Sequence, residues 1–152
     1  MRMRTGHKRR AFASAGTAAI EFGLIAPLLL ILLAGTVELG FTIWQQMEVY
    51  AAAEAGAGYA IKHGWNATAI SNVVTSATDE TTITASPAPF EFCGCPAASG
   101  ITTVVCTATC TGGTTPSLYV QVGASIPHTV ILSNLGLPIP ATLTASARVR
   151  LQ

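Results

Sequence analysis

Residues 17–44 read TAAIEFGLIAPLLLILLAGTVELGFTIW, and this stretch sets the architecture of the chain. Glu21 and Glu38 are its only charged residues, and no charged side chain lies between them. A helix needs about 20 mainly apolar residues to cross the hydrocarbon core of a bilayer. The stretch therefore predicts one membrane-spanning helix. Pro27 removes one helix hydrogen bond, which membrane helices tolerate.

Charged residues are few and unevenly placed. They make up 10% of the chain, against about 25% in an ordinary soluble domain. Five of the eight Lys and Arg residues lie in the first ten positions, before the apolar stretch, and all seven acids follow from Glu21 onward. By the positive-inside rule, the N-terminus is expected to be cytoplasmic and the rest to be translocated across the membrane. The folded part has no cluster of Lys and Arg, so we expect no nucleic-acid partner.

The chain beyond the membrane stretch predicts an α+β fold. Residues 38–62 contain no proline and are rich in helix formers, so the helix is expected to continue to His63. A second, shorter helix follows, capped by Asn66 or Thr68. Beyond Asp79 the apolar residues recur with a period of two, which predicts antiparallel strands. The expected strands are 81–92, 101–106, 118–126 and 141–151. Prolines at 87 and 89 predict that the first is bent or lies at a sheet edge.

These features predict three segments: a basic cytoplasmic leader over 1–16, a transmembrane helix with an extracytoplasmic extension over 17–63, and an extracytoplasmic α+β domain over 64–152. The fold expected is a long N-terminal helix plus a short helix packed on a small antiparallel sheet. A cleaved secretory signal is the competing interpretation of the N-terminus, although no A-x-A-like site ends the apolar run.

Four cysteines fall in the translocated part, at Cys93, Cys95, Cys106 and Cys110. That compartment is oxidising, so two disulfides are expected. Three pairings are possible, and bridges between the CGC pair and the later pair are favoured over a Cys93–Cys95 bridge. A zinc site is the alternative, but the C-x-C and C-x3-C spacings depart from the usual CxxC.

The start of the apolar helix has a more specific pattern. Gly16 is followed by four residues, then Glu21 and Phe22, after a short basic leader. This arrangement resembles a type IV prepilin processing site. With the Ala-rich AAAEAGAGYA after it and the C-terminal LTASARVRLQ, it is similar to the TadE-like family, whose members are small pseudopilin-type proteins of Tad (Flp-type) pilus systems.

The resemblance implies a type IV pilin-like arrangement and cleavage by a prepilin peptidase between Gly16 and Thr17. It also implies that Glu21, beside Phe22, neutralises the N-terminal amine of a neighbouring subunit. The alternative is that Glu21 only interacts favourably with the positive end of its own helix. The implied partners are the inner membrane, other pilin-like subunits, the pilus assembly platform and the peptidase.

No catalytic constellation is visible in the sequence. His7, His63 and His128 do not group with acids or serines, and we expect each to be solvated. No nucleophile-elbow, phosphate-loop or HExxH motif occurs, so we expect neither an enzyme nor a bound metal or other cofactor. The expected function is that of a minor pilin or pseudopilin in Tad pilus assembly. The alternative is a bitopic envelope protein whose external domain binds a partner or a surface without entering a pilus.

Overall fold

A computed structural model describes the backbone of residues 9–151, except 99 and 131–139, and the side chains from Gly16 onward. The predicted solvation of His7 therefore lies outside the described residues. The chain divides into two compact units between Gly40 and Phe41. Helix α1 (Arg9–His63) begins in the first unit and ends in the second.

Helix α1 ends where the sequence predicts. Gly64 follows it with φ +77°, and its N–H donates to the carbonyl of Ala60 at 3.0 Å. Such a left-handed residue after the last turn satisfies a helix carbonyl, and glycine adopts that conformation without a steric penalty. The end of α1 is therefore determined locally, by the glycine that follows His63.

Helix α2 (Ala67–Ser76) begins at the predicted cap. Asn66 has extended backbone angles, and its Oδ1 accepts a hydrogen bond from the N–H of Ala69 at 3.0 Å. An asparagine in this position satisfies one of the free N–H groups of the first turn. The helix buries Ile70 and Val74, which lie one turn apart on the same face.

The second unit also contains a four-stranded sheet, antiparallel throughout, in the order β2-β1-β3-β4. Its strands are β1 (Phe90–Ala97), β2 (Gly100–Val104), β3 (Ser117–Pro127) and β4 (Thr142–Arg150). The α+β class is thus confirmed, with a long apolar helix, a short helix and one curled antiparallel sheet.

The core of the second unit lies between α1 and one face of the sheet. From α1 it takes small side chains at helical spacing, and from β3 and β4 the alternate residues. These are Val49, Ala52, Ala53, Ala57 and Ala60 on α1, with Val120, Val122, Ala124, Ile126, Leu143 and Ala145 on the sheet. Small residues bring a helix close to the surface it packs on. The approach is closest at Gly56, where even a Cβ would not fit: it would lie 2.6 Å from Val74 Cγ2 and 2.9 Å from Val122 Cγ1.

The predicted strand over 81–92 is only partly correct. Regular pairing begins at Phe90, after both prolines, and the resulting strand lies inside the sheet rather than at its edge. Proline has no N–H to donate to a ladder, so Pro87 and Pro89 delay the strand. Before them, Thr84 alone pairs with Ser125, exchanging two backbone hydrogen bonds of 2.9 Å. The strand is interior because β2 folds back against its other side.

The core-facing set predicted for the last two strands is confirmed in its central residues. The residues expected to point inward on β3 are buried from Val120 to Ile126, but Leu118 is 40% exposed. On β4, Leu143 and Ala145 are buried, whereas Ala141 before the strand is exposed. On β3 the opposite face is also covered, because Tyr119, Gly123 and Ser125 are buried as well.

Candidate assembly segment

The four residues of the predicted processing and pairing motif lie together on α1. Thr17 and Glu21 are four residues apart, so they lie one above the other on the same helix face. The Gly16–Thr17 peptide bond is inside the helix, and a Cβ built at Gly16 would meet nothing within 4 Å. Glycine inside a helix is about 1 kcal/mol less favourable than alanine, which eases local opening of the helix at this bond.

The helix surface beyond this motif is apolar on every side and uncovered. The large side chains from Ile20 to Leu33 are each 50–75% exposed. The most apolar part of the helix has a mean hydropathy of 2.2, and none of it is buried in the described structure. A helix that is hydrophobic all round needs an apolar environment. By length and composition this helix could span a membrane, although an N-terminal signal sequence has the same properties.

A buried polar cluster, missed in the sequence, joins α1 to the end of β3. His128 is 5% exposed, so the expectation that it is solvated is wrong. Its Nδ1 lies 2.5 Å from Oε1 of Gln45, and its Nε2 lies 3.3 Å from Oγ1 of Thr42. Because an amide oxygen can only accept, Nδ1 is the donor in the hydrogen bond to Gln45. The cluster therefore ties the end of β3 to two consecutive turns of α1.

Two periodic patterns could have revealed this cluster. His128 continues the inward alternation of β3, two residues beyond Ile126. Thr42 and Gln45 continue the buried face of α1 toward the N-terminus, one turn before Val49. Glu38 precedes them at the same spacing and is 1% exposed. His63, by contrast, is exposed and stacks on Tyr59 with ring centroids 4.4 Å apart.

Two disulfides link β1 to the segment after β2. Cys93 is bonded to Cys106 and Cys95 to Cys110, with Cα atoms 5.1 and 5.5 Å apart. Each bridge joins one cysteine of the CGC pair to one of the later pair, which is the type of pairing that the sequence favours. Since all four sulfurs are bonded, the alternative zinc site has no thiolate ligands. The bridges fix the loop beyond β2 against the sheet.

Comparison with known protein families matches residues 16–58 to the family described as TadE-like protein. No curated protein and no solved structure matches the chain. The matched segment begins at Gly16 and includes Glu21, Phe22, the whole apolar stretch and the Ala-rich part of α1. This family is a component of pilus assembly and is not known as a family of enzymes. Residues 16–58 are therefore a TadE-like segment, and this match supports a general association of the chain with Tad pili.

Proposed function

We propose that the chain is a TadE-like pseudopilin or minor pilin, a membrane-anchored and non-enzymatic component of the Tad pilus assembly machinery. One observation carries the proposal: the TadE-like match starts at Gly16, and the helix it covers exposes an uninterrupted apolar surface. A soluble monomer rarely exposes so much apolar surface, and a protein that lies in lipid or among similar helices does so necessarily.

In this proposal α1 crosses the inner membrane, with its N-terminus in the cytoplasm and the α+β domain in the periplasm. The basic leader supports this direction through the positive-inside rule. Trp44 and Tyr50 support it from the other side, because both are exposed on α1, Trp44 at the end of the apolar stretch and Tyr50 after it. Aromatic side chains of this type are enriched where a helix leaves the bilayer.

Glu21 has a specific role in this proposal. A carboxylate at the centre of a membrane helix costs about 2.5–3.5 kcal/mol, and less near an end. Cleavage after Gly16 would leave an α-amine on Thr17, and Glu21 would pair with that amine on a neighbouring subunit while Phe22 packs beside it. A charge pair in an apolar environment is much less costly than a lone charge.

N-terminal sequencing of the protein purified from membranes and from sheared pili tests the processing step. We expect both samples to begin at Thr17, and an intact Met1 would remove the peptidase from the proposal. Gly16→Val serves as the matched variant, because it adds a branched side chain where the chain now has none. It should retain the leader while the protein still reaches the membrane.

Replacement of Glu21 by Ala tests the pairing role. We expect Glu21→Ala to reduce the number of pili while the amount of protein in the membrane is unchanged. Glu48→Ala is the control, because Glu48 lies on the same helix outside the apolar stretch. Normal piliation in the Glu21 variant would refute the pairing. Absence of the protein from both sheared pili and the assembly platform would instead favour an envelope protein that stays outside the pilus.

A further inference from the structure

The sheet face that points away from the core presents a regular set of aromatic and cationic side chains. Strand register places Phe90, Gln121 and Arg148 in one row across β1, β3 and β4, and Phe92, Tyr119 and Arg150 in the next. These six positions alternate with the core-facing residues of the same strands. Together they form the outer sheet face.

The aromatic half of the outer sheet face is packed into a fixed platform. The ring of Phe92 lies 5.9 Å from that of Phe90 and 5.6 Å from that of Tyr119, between centroids. Gly94 allows this packing, since a Cβ there would lie 2.5 Å from Ile101 Cγ2 and 3.2 Å from Tyr119 Cδ2. Tyr119 is thereby 8% exposed, and Phe90 remains 43% exposed.

The cationic half is oriented by the same face. Arg148 donates from Nε to Oε1 of Gln121 at 2.7 Å, and its guanidinium carbon lies 6.0 Å from the centroid of Phe92. With Nε held by an amide, the two Nη groups are positioned to bind a carboxylate. The chain after Gly16 has three basic residues against seven acids, and two of the three, Arg148 and Arg150, are on this face.

A second surface of the same unit has the complementary chemistry. An exposed stripe along α1 presents Ile43, Met47, Tyr50, Glu54 and Ile61, spaced three, four or seven residues apart. The four apolar side chains are each more than half exposed. This α1 stripe is thus an apolar strip with one carboxylate in it, whereas the outer sheet face is an aromatic strip with two guanidinium groups.

We propose that the outer sheet face of one copy of this chain docks on the α1 stripe of a second copy. The two surfaces are different, so the contact is heterologous and can repeat from copy to copy in a row. Tyrosine and arginine are among the side chains that contribute most to protein interfaces. The inference rests on the proposed function in one respect, since it requires copies of the chain to lie side by side in a membrane or pilus.

Site-specific photo-crosslinking in the full chain tests this contact in membranes of cells that assemble pili. The photoreactive residue p-benzoylphenylalanine replaces Phe90 in one variant and Val105, which is 70% exposed and belongs to neither surface, in the control. We expect a homodimer adduct from position 90, mapped by mass spectrometry to residues 43–61, and at most a trace from position 105. An adduct only with a different protein, no adduct, or equal adducts from both positions would overturn the proposal.

Charge reversal then tests the complementarity. Arg148→Glu with Arg150→Glu should lower the position-90 adduct about tenfold, because like charges oppose docking. Adding Glu54→Lys should restore it, and failure to restore it would contradict the pairing of these two surfaces. The N-terminal sequence of each variant separates the two proposals. A mature Thr17 without the α1 adduct refutes only the docking, whereas the adduct with an intact Met1 refutes only the processing.

Discussion

Gly56 offers the sharpest test of how α1 packs in the second unit. A methyl group at this position would lie 2.6 Å from Val74 Cγ2, 2.9 Å from Val122 Cγ1 and 3.4 Å from Ile70 Cγ2. Carbon atoms normally approach to about 3.5–4.0 Å, so the first two contacts overlap strongly. Neither valine can easily turn away, because β-branched side chains are restricted at χ1. Helix α2 or β3 would have to move.

Two opposing effects set the size of the change in Gly56→Ala. Alanine is better than glycine inside a helix by about 0.5–1 kcal/mol. Overpacking a close-packed core costs about 1–3 kcal/mol. We therefore expect a net loss of about 1–2 kcal/mol in the free energy of unfolding. Each kcal/mol lowers Tm by about 4–8 °C in a domain of 60–100 residues.

Thermal unfolding of the full chain in detergent micelles, followed by near-UV circular dichroism, measures this loss. Gly58→Ala is the matched control, because it lies two residues away on the same helix and a Cβ there would meet nothing within 4 Å. Gly58→Ala should show only the stabilisation that alanine gives over glycine inside a helix, and it should raise Tm by a few degrees. If both variants shift Tm in the same direction, the close packing of α1 at Gly56 is refuted.

Three further predictions concern the same unit. Replacing Cys93 and Cys106 together by Ser removes a bridge between residues 13 apart and should cost about 3 kcal/mol, measured by denaturant unfolding with and without reductant. Asn66→Ala should cost about 1 kcal/mol through loss of the α2 cap, and an unchanged midpoint would contradict that role. The hydroxyl and the N–H of Thr82 hold the pKa of Glu80 below its ordinary value. The resulting stabilisation is present at neutral pH and is lost as the pH falls through the folded-state pKa, so Glu80→Gln should unfold with a weaker acid dependence.

Much of the fold could be predicted because it is encoded locally. The apolar stretch, the glycine after His63, the Asn66 cap and the alternation of β4 each depend on side chains within a few residues of one another. The prediction of a strand over 81–92 was less accurate, because the boundaries of that strand depend on pairing with other strands. Its N-terminal half forms a β-bridge only at Thr84, with Ser125, and its C-terminal half lies between two partner strands that come later in the chain.

The candidate site likewise has features that the sequence predicts and features that depend on the fold. The sequence placed Gly16 and Glu21 on one apolar helix, because that arrangement needs only helical spacing. It did not reveal the burial of His128, whose partner Gln45 lies 83 residues earlier. It also did not indicate why a glycine separates Cys93 and Cys95. That glycine is needed because the side chains of Tyr119 and Ile101, from the strands on either side, pack over it.

Local patterns along the chain were thus enough to establish the membrane-competent helix, the TadE-like motif at its start and the α+β composition of the remaining residues. These are properties of spacing and composition, and they need no long-range contact. The strand order, the partners of the cysteines and the coverage of each side of the second unit emerged from the three-dimensional fold instead. They depend on which distant segments meet, and one consequence is that the arginines of the outer sheet face and the α1 stripe remain exposed.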